Sequence, residues 1–492
     1  MKKLLCAVLV LALLALPICA FSAGAANTEG ERVTSGSNVE RQNYNNSNWA
    51  STVLSYLVET TKGELMRVQA DPYEGKYYVE YYDADYHFLR AFAVKAELPR
   101  FGGFYATESN YYILSGQNNP DESPKVECFR VTKYDLNWNR ITSVGLYDCN
   151  TYIPFDAGSA RMTHSGKYLL IRTCHEMYKS SDGYHHQANV TIQVDTNAMK
   201  ITDSFTDVMN SGVGYVSHSF NQFIRVEDDH IVAVDHGDAY PRSIVLIRYP
   251  SKVSSGQFYT WGCEVTNLQT FPGQIGANYT GASVGGFEIS GSSYLVAYSS
   301  IDQNAAQAGS VRNIYVASMD KQSGKVTVRQ ITHLAEKDAS VSTPHLVKIG
   351  ENSFVLLWSR NGDVYYTELN GKGEAVGKTY CIKGASLSDC VPLVTNGKLV
   401  WYTYQGSEIL FYEIDTEDLS ENNRNGTYAL GDVDGSGTID ATDYLFVKRY
   451  VLGLCALSDA QLAAADVSKD GVIDSTDYSM VKRHVLQTFH IG

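Results

Sequence analysis

HLVKIG at His345–Gly350, SFVLLWSR at Ser353–Arg360, DVYYTELN at Asp363–Asn370 and EAVGKTYCI at Glu374–Ile382 decide how most of this chain folds. Each run is short, rich in β-branched and aromatic residues and roughly alternating, as a half-buried strand requires. The separators, Glu351-Asn352, Asn361-Gly362 and Gly371-Lys372-Gly373, are turn residues. The stretch therefore predicts four antiparallel strands in one small sheet.

Working outward, similar hairpins recur at Met66–Tyr82, Gly102–Gly116, Ala160–Thr173, Asn221–Asp235, Gly285–Ser299 and Pro392–Tyr404. Several are followed by an outer pair, such as Val311–Asp320 with Lys325–Thr332, or Val126–Asp135 with Arg140–Leu146. One such sheet cannot cover both its faces, so neighbours must stack, and radial stacking closes into a β-propeller. The expected fold is mainly β: a propeller of six to eight blades, with seven the central expectation, over residues 52–415. A pair of β-sandwiches is the competing arrangement. The last unit has three good strands, ending at Phe411–Asp415, and Val53–Glu59 is expected to supply the fourth and fasten the ring. WD, kelch and Asp-box signatures are absent, and the 35 tyrosines suit twisted strands.

Beyond a polar linker at 416–428, residues 429–492 form a separate small, all-α module. Asp432, Asp434, Ser436, Asp440 and Asp443 place oxygen side chains at positions 1, 3, 5, 9 and 12 of a twelve-residue loop, with Gly437 at position 6 and the Thr438 carbonyl at 7. These positions surround Ca²⁺ in an EF-hand loop. The pattern returns 34 residues later as Asp466, Ser468, Asp470, Asp474 and Asp477, with Gly471 and the Val472 carbonyl. Each loop runs into a short amphipathic helix, YLFVKRYVL or YSMVKRHVL, and Gly453 is placed to stop the first. No convincing helix precedes either loop, and position 12 is Asp in both.

In these features the module resembles a type I dockerin. The resemblance implies two Ca²⁺ ions and a cohesin module of a scaffolding protein as partner, in a cellulosome-like complex acting on plant or other polysaccharide. It also implies cohesin contacts at Ala441, Thr442, Lys448, Arg449 and Leu452, and in the second half at Ser475, Thr476, Lys482, Arg483 and Leu486. The near-repeat would let either half face the partner, with Ala441 against Ser475 as a difference between them.

Residues 1–25 have a secretory-signal layout: Lys2 and Lys3, an apolar run from Leu4 to Leu16, Pro17, then Ala23-Gly24-Ala25. The run is shorter than the ~20 residues a bilayer needs, and no later segment is long enough to span. An extracellular protein of an anaerobic bacterium is the expectation, with 26–51 a flexible leader. Losing the signal makes the chain more acidic than its net charge of −14, which argues against nucleic acid. Seven cysteines remain, without zinc-ligand spacing, and Cys381 with Cys390 is one conceivable disulfide.

The propeller's densest polar stretch lies in its third and fourth units. Candidate catalytic residues there are Asp156, Glu176, His218, Asp235, His236, Asp238 and Arg242. Arg161 and His218 are expected near the propeller axis. Paired carboxylates would suit glycoside hydrolysis, a His/Arg/Tyr set a polysaccharide lyase, and His218, His236 and Asp238 a metal. None of the spacings is diagnostic, and each residue has an ordinary alternative as a turn cap or a hydrogen-bonded blade histidine. A propeller that binds polysaccharide noncatalytically and a carbohydrate-active enzyme are the two function classes.

Overall fold

The computed structural model describes residues 50–277, 279–304, 311–335, 341–405, 408–420, 422–426, 430–434, 439–457 and 459–491. The expected signal, nearly all of the leader, and the loop ligands Ser436 and Thr438 lie outside them.

Among the described residues, twenty-nine strands make five four-stranded antiparallel sheets and one nine-stranded sheet. The four-stranded sheets span residues 55–95, 100–146, 282–330, 345–382 and 393–426, and the nine-stranded sheet spans 151–270. The unit that opened the sequence reading forms as expected, Ser353–Arg360 pairing with Asp363–Asn370 from Ser353↔Asn370 to Arg360↔Asp363. Within the nine-stranded sheet, two runs meet at a single pair, Ala188↔Ser217, and Thr151–Pro154 clips onto Tyr168–Lys179.

The arrangement is propeller-like, because the leading segment of every run borders one cavity. Tyr56, Phe104, Arg161, Phe223, Phe287, His345 and Val391 line it, one from each run's leading segment. Such crowding selects small residues on the inner strands. A Cβ on Gly285 would collide with the Pro344 carbonyl, and one on Gly286 would meet Leu346. Apolar clusters fill the gaps between neighbouring sheets, for example Val355, Tyr366, Trp401 and Tyr412.

Two expectations about ring closure fail. Ser55–Glu59 pairs with Leu65–Asp71 in the first sheet, with Ser55 opposite Gln69, and adds no strand to the last one. A tight turn joins the two strands, Gly63 donating to the Thr60 carbonyl, so this local hairpin closes a far shorter loop than a partner more than 300 residues away. The last sheet instead takes its fourth strand from Asn422–Gly426, inside the segment expected to be linker. First and last sheets are fastened by side chains: Leu54 N–H donates to Asp389 at 2.9 Å, Tyr86 O–H to Glu413 at 2.6 Å, and the Tyr86 ring stacks on Phe411.

Three helices lie in the C-terminal module: α1 (Ala441–Val451), α2 (Asp459–Ala465) and α3 (Ser475–Val485). α1 packs on α3, and their Tyr444 and Tyr478 hydroxyls meet at 2.7 Å. α2 corrects the expectation that no helix precedes either loop, since it leads directly into the second. Among the described residues no helix is long and apolar enough to cross a membrane. All seven cysteines from Cys128 onward are thiols, Cys381 and Cys390 included.

Candidate functional site

In the tail, the position-12 carboxylates organise both loops. Asp443 is buried and accepts from the backbone N–H groups of Val433, Asp434 and Asp440 at 2.7 to 3.0 Å. Asp477, equally buried, accepts from Ser468 and Asp474 at 2.8 and 3.0 Å. Position 9 serves the helix start, Asp440 accepting from Thr442 and Asp474 from Thr476, each at 2.6 Å, so each loop and its helix share a capping box.

Oxygens of Asp432, Asp434 and Asp443 all lie within 4.8 Å of one another. Burial pushes the Asp443 carboxyl up to about 6, helped by Asp434 and Asp432 and opposed by its backbone donors. Hard carboxylate oxygens gathered this closely fit a hard divalent cation of calcium size. The second loop does not gather a comparable trio among the described residues. Its Asp466 accepts from the Asp470 and Gly471 N–H groups, and Asp470 from Val472, whose side chain is exposed.

The expected cohesin contacts are placed alike on both halves. Ala441, Thr442, Arg449 and Leu452 are exposed, as are Ser475, Thr476, Lys482, Arg483 and Leu486, while Lys448 is half-buried over Tyr444. Gly453 ends α1 in the left-handed region at φ 67°, where α3 has Gln487 at 57°. Residues 430–486 match the family model for the dockerin type I domain. The tail is a type I dockerin. Dockerins of this type bind calcium, and the domain supports cellulosome-type docking.

No curated protein matches the chain. Solved structures similar to it include polysaccharide lyase Uly1, at 10% identity and TM-score 0.42, covering 72% of this chain and 86% of that one. A protein from Listeria monocytogenes has 10% identity and TM-score 0.38, covering 80% and 97%. A prolyl endopeptidase has 11% identity and TM-score 0.38, and the match covers 74% of this chain but 46% of that one.

In the propeller, three of the seven candidate residues are held by internal bonds. Asp235 is fully buried in an ion pair with Arg172, Oδ2 at 3.1 Å from Nε and 2.5 Å from Nη2, and its Oδ1 accepts from Ser219 at 2.6 Å. Removing one partner of such a pair strands the other charge in the core. Asp235→Ala should therefore lower stability by about 3–5 kcal/mol, read as a fall in the denaturant midpoint of the propeller. His236 is buried against the Thr280 hydroxyl at 2.8 Å, and burial, with Arg312 and Arg242, pulls its ring down to about 3. Arg242 clamps a loop, donating to the carbonyls of Asp238, Pro272, Ala277 and Tyr279.

The other four fall into two pairs, His218 with Asp238 and Asp156 with Glu176. His218 sits on a bulge at φ 52°, its Nδ1 3.0 Å from buried Asp238 and its ring 6.2 Å from that of His186. It is not among the residues lining the axial cavity, contrary to expectation, whereas Arg161 is. Asp156 and Glu176 are half-buried, and burial pushes both carboxyls up, Glu176 also through Asp156. His218, His236 and Asp238 do not converge on a metal position among the described residues, since His236 faces Thr280. The sequence reading passed over Arg172, Tyr56 and His345. No local motif marks them, because they become neighbours of the other groups only when separate sheets meet.

Proposed function

We propose that this chain is a secreted component of a cellulosome-like complex. Residues 1–25 export it, the dockerin holds two Ca²⁺ ions and grips a scaffoldin cohesin, and the propeller binds polysaccharide without turning it over. Docking rests on the repetition of exposed Thr, Arg and Leu at matching places on helices that follow matching capping-box loops. Seven blades are our proposal, with residues 151–270 taken as two four-stranded meanders that share one pair and carry a clipped extra strand; the single Ala188↔Ser217 pair supports that division.

The two halves of the dockerin differ in apolar area. Beside Leu452 the first half exposes Leu445, Val451 and Leu454. Their counterparts beside Leu486 are Ser479, half-buried Val485 and Thr488. Docking should thus favour the α1 half. With the full chain over immobilised type I cohesins in calcium, Leu452→Ala should weaken binding about tenfold and Leu486→Ala by less than about threefold, as expected for a central and a peripheral contact. Failure to bind any cohesin would remove the docking reading; the reverse order of effects would reverse the orientation.

For the propeller, noncatalytic binding is supported by the structural engagement of Asp235, His236 and Arg242. A second reading, a carbohydrate-active enzyme, is favoured by the raised carboxyls of Asp156 and Glu176 and by the His218–Asp238 pair. Product release from a polysaccharide that vanishes in Glu176→Gln would favour that reading; retention without release favours the first.

A further inference from the structure

We propose that the axial cavity is a binding site for a uronic acid, whose carboxylate meets Arg161 and one of whose hydroxyls meets Nδ1 of His345. The inference deepens the polysaccharide-binding reading and rests on it only for the ligand being a sugar.

The cavity measures about 290 Å³, just below the roughly 300–1,000 Å³ typical of small-molecule sites. Three requirements are built into its wall. The first is a cation with no ion-pair partner among the described residues. The Arg161 guanidinium makes no hydrogen bond or ion pair with a described residue, its Nε is buried without a partner, and it lies 5.0 Å over the Phe223 ring. Burial pulls its pKa down, and neighbouring Arg225 disfavours its charge further. Arg225 is itself answered by Glu288 at 2.8 Å. Asp389 acts on Arg161 only from beyond ion-pair range, with Oδ2 engaged by the Leu54 N–H. A ligand carboxylate would give Arg161 the charge-assisted, two-pronged partner its geometry suits.

The second requirement is a hydrogen-bond donor. His345 is 6% exposed, and its Nε2 donates to the Ser388 carbonyl at 2.8 Å. Burial holds the ring neutral, so Nδ1 carries a lone pair, and that nitrogen is buried without a partner. The third is an apolar surface: Phe104, Phe223 and Phe287 come from three inner strands, those of Phe104 and Phe223 flanking the strand of Arg161. An inorganic anion would leave Nδ1 and the rings unanswered, and a neutral sugar would leave Arg161 unanswered. A sugar acid, with a carboxylate, hydroxyl donors and a C–H face, answers all three.

The test is calorimetric titration of the full chain in calcium with sodium D-galacturonate and D-glucuronate, against D-galactose and sodium acetate. At drug-like efficiency a single hexuronate should bind with a Kd of about 1 mM. One site for at least one uronate is expected, with galactose and acetate at least tenfold weaker. Arg161→Gln should weaken the uronate at least tenfold. If that variant fails to fold, Val391→Trp, which fills the exposed margin of the cavity and leaves Arg161 intact, should do the same. Galactose binding as tightly as galacturonate would overturn the carboxylate assignment while leaving polysaccharide binding in place. Acetate binding as tightly would reduce the site to a simple anion hole and overturn the sugar assignment. No uronate binding, with intact polymers still retained by the chain, would overturn the inference alone; loss of polymer retention as well would take the wider reading with it.

Discussion

Chelating calcium from the full chain should unfold the dockerin and leave the propeller folded. The module's buried apolar core consists of Val433, Val447, Ala464, Ala465, Val467 and Val481, two alanines and four valines with at most three side-chain carbons each. So small a core does not offset the conformational entropy of ordering some 60 residues. At the same time Asp432, Asp434 and Asp443 hold carboxylate oxygens within 4.8 Å of one another. Without a cation that proximity is repulsive; with one it becomes the strongest interaction in the module, and metal-binding free energy is then folding free energy. Calcium at about a thousand times its Kd contributes roughly 4 kcal/mol, enough to carry a domain of this size between mostly unfolded and mostly folded. Calorimetry of the full chain should show two transitions in millimolar calcium and only the propeller's in EGTA. The helical circular dichroism of α1, α2 and α3 should fall and return on adding calcium back. Asp443→Ala should mimic the chelator even with calcium present, because it removes both a ligand and the acceptor that holds Val433, Asp434 and Asp440 in place. Two unchanged transitions after chelation would end this account of the module.

What could be read from residues alone follows the range of the interactions. The dockerin loops are local: ligand, turn glycine and cap fall within twelve residues, so Asp443 and Asp477 could be assigned from spacing. The blade hairpins are local too, and the His345–Ile382 unit formed as expected. Closure of the ring was misread because it depends on which edge is vacant. Asn422–Gly426 has no apolar alternation, yet it fills the last sheet's edge through backbone bonds to Glu408–Asp415, and backbone bonds are indifferent to side-chain pattern. The surroundings of the catalytic candidates were illegible for a related reason. Asp235 looks like any polar residue at a strand end until Arg172, 63 residues earlier, arrives beside it. Arg161 was placed near the axis from its position ahead of an inner strand, but its company there, His345 and three phenylalanines, comes from four other segments.

Acid should unfold the propeller well before it protonates ordinary carboxylates, because three histidines are buried in the neutral form. His175 lies against the Thr151 hydroxyl, His236 against Thr280 and His345 against the Ser388 carbonyl. Burial pulls the first two down to about 3 and the third to about 4. An exposed histidine in the unfolded chain titrates near 6.5. Below that value the unfolded state takes up protons that the folded state refuses, so the stability present at pH 7 is lost as pH falls from 6.5 toward 4. At pH 5 each histidine accounts for about 2 kcal/mol of that loss, and the three together for about 6 kcal/mol. Asp389 works in the opposite sense. Burial raises it to about 6, so it binds a proton in the folded state first and its contribution to stability grows as pH falls through 6, returning about 1 kcal/mol at pH 5. The balance, about 5 kcal/mol, is a large share of the 5–15 kcal/mol that holds an ordinary domain together. With calcium saturating, the denaturant midpoint of the propeller should therefore drop steeply between pH 7 and pH 5, and His236→Gln should flatten that slope by roughly two-fifths. A midpoint that stays level across this interval would mean that the three rings accept protons in place, and that the cavity wall at His345 carries a positive charge where a lone pair is needed.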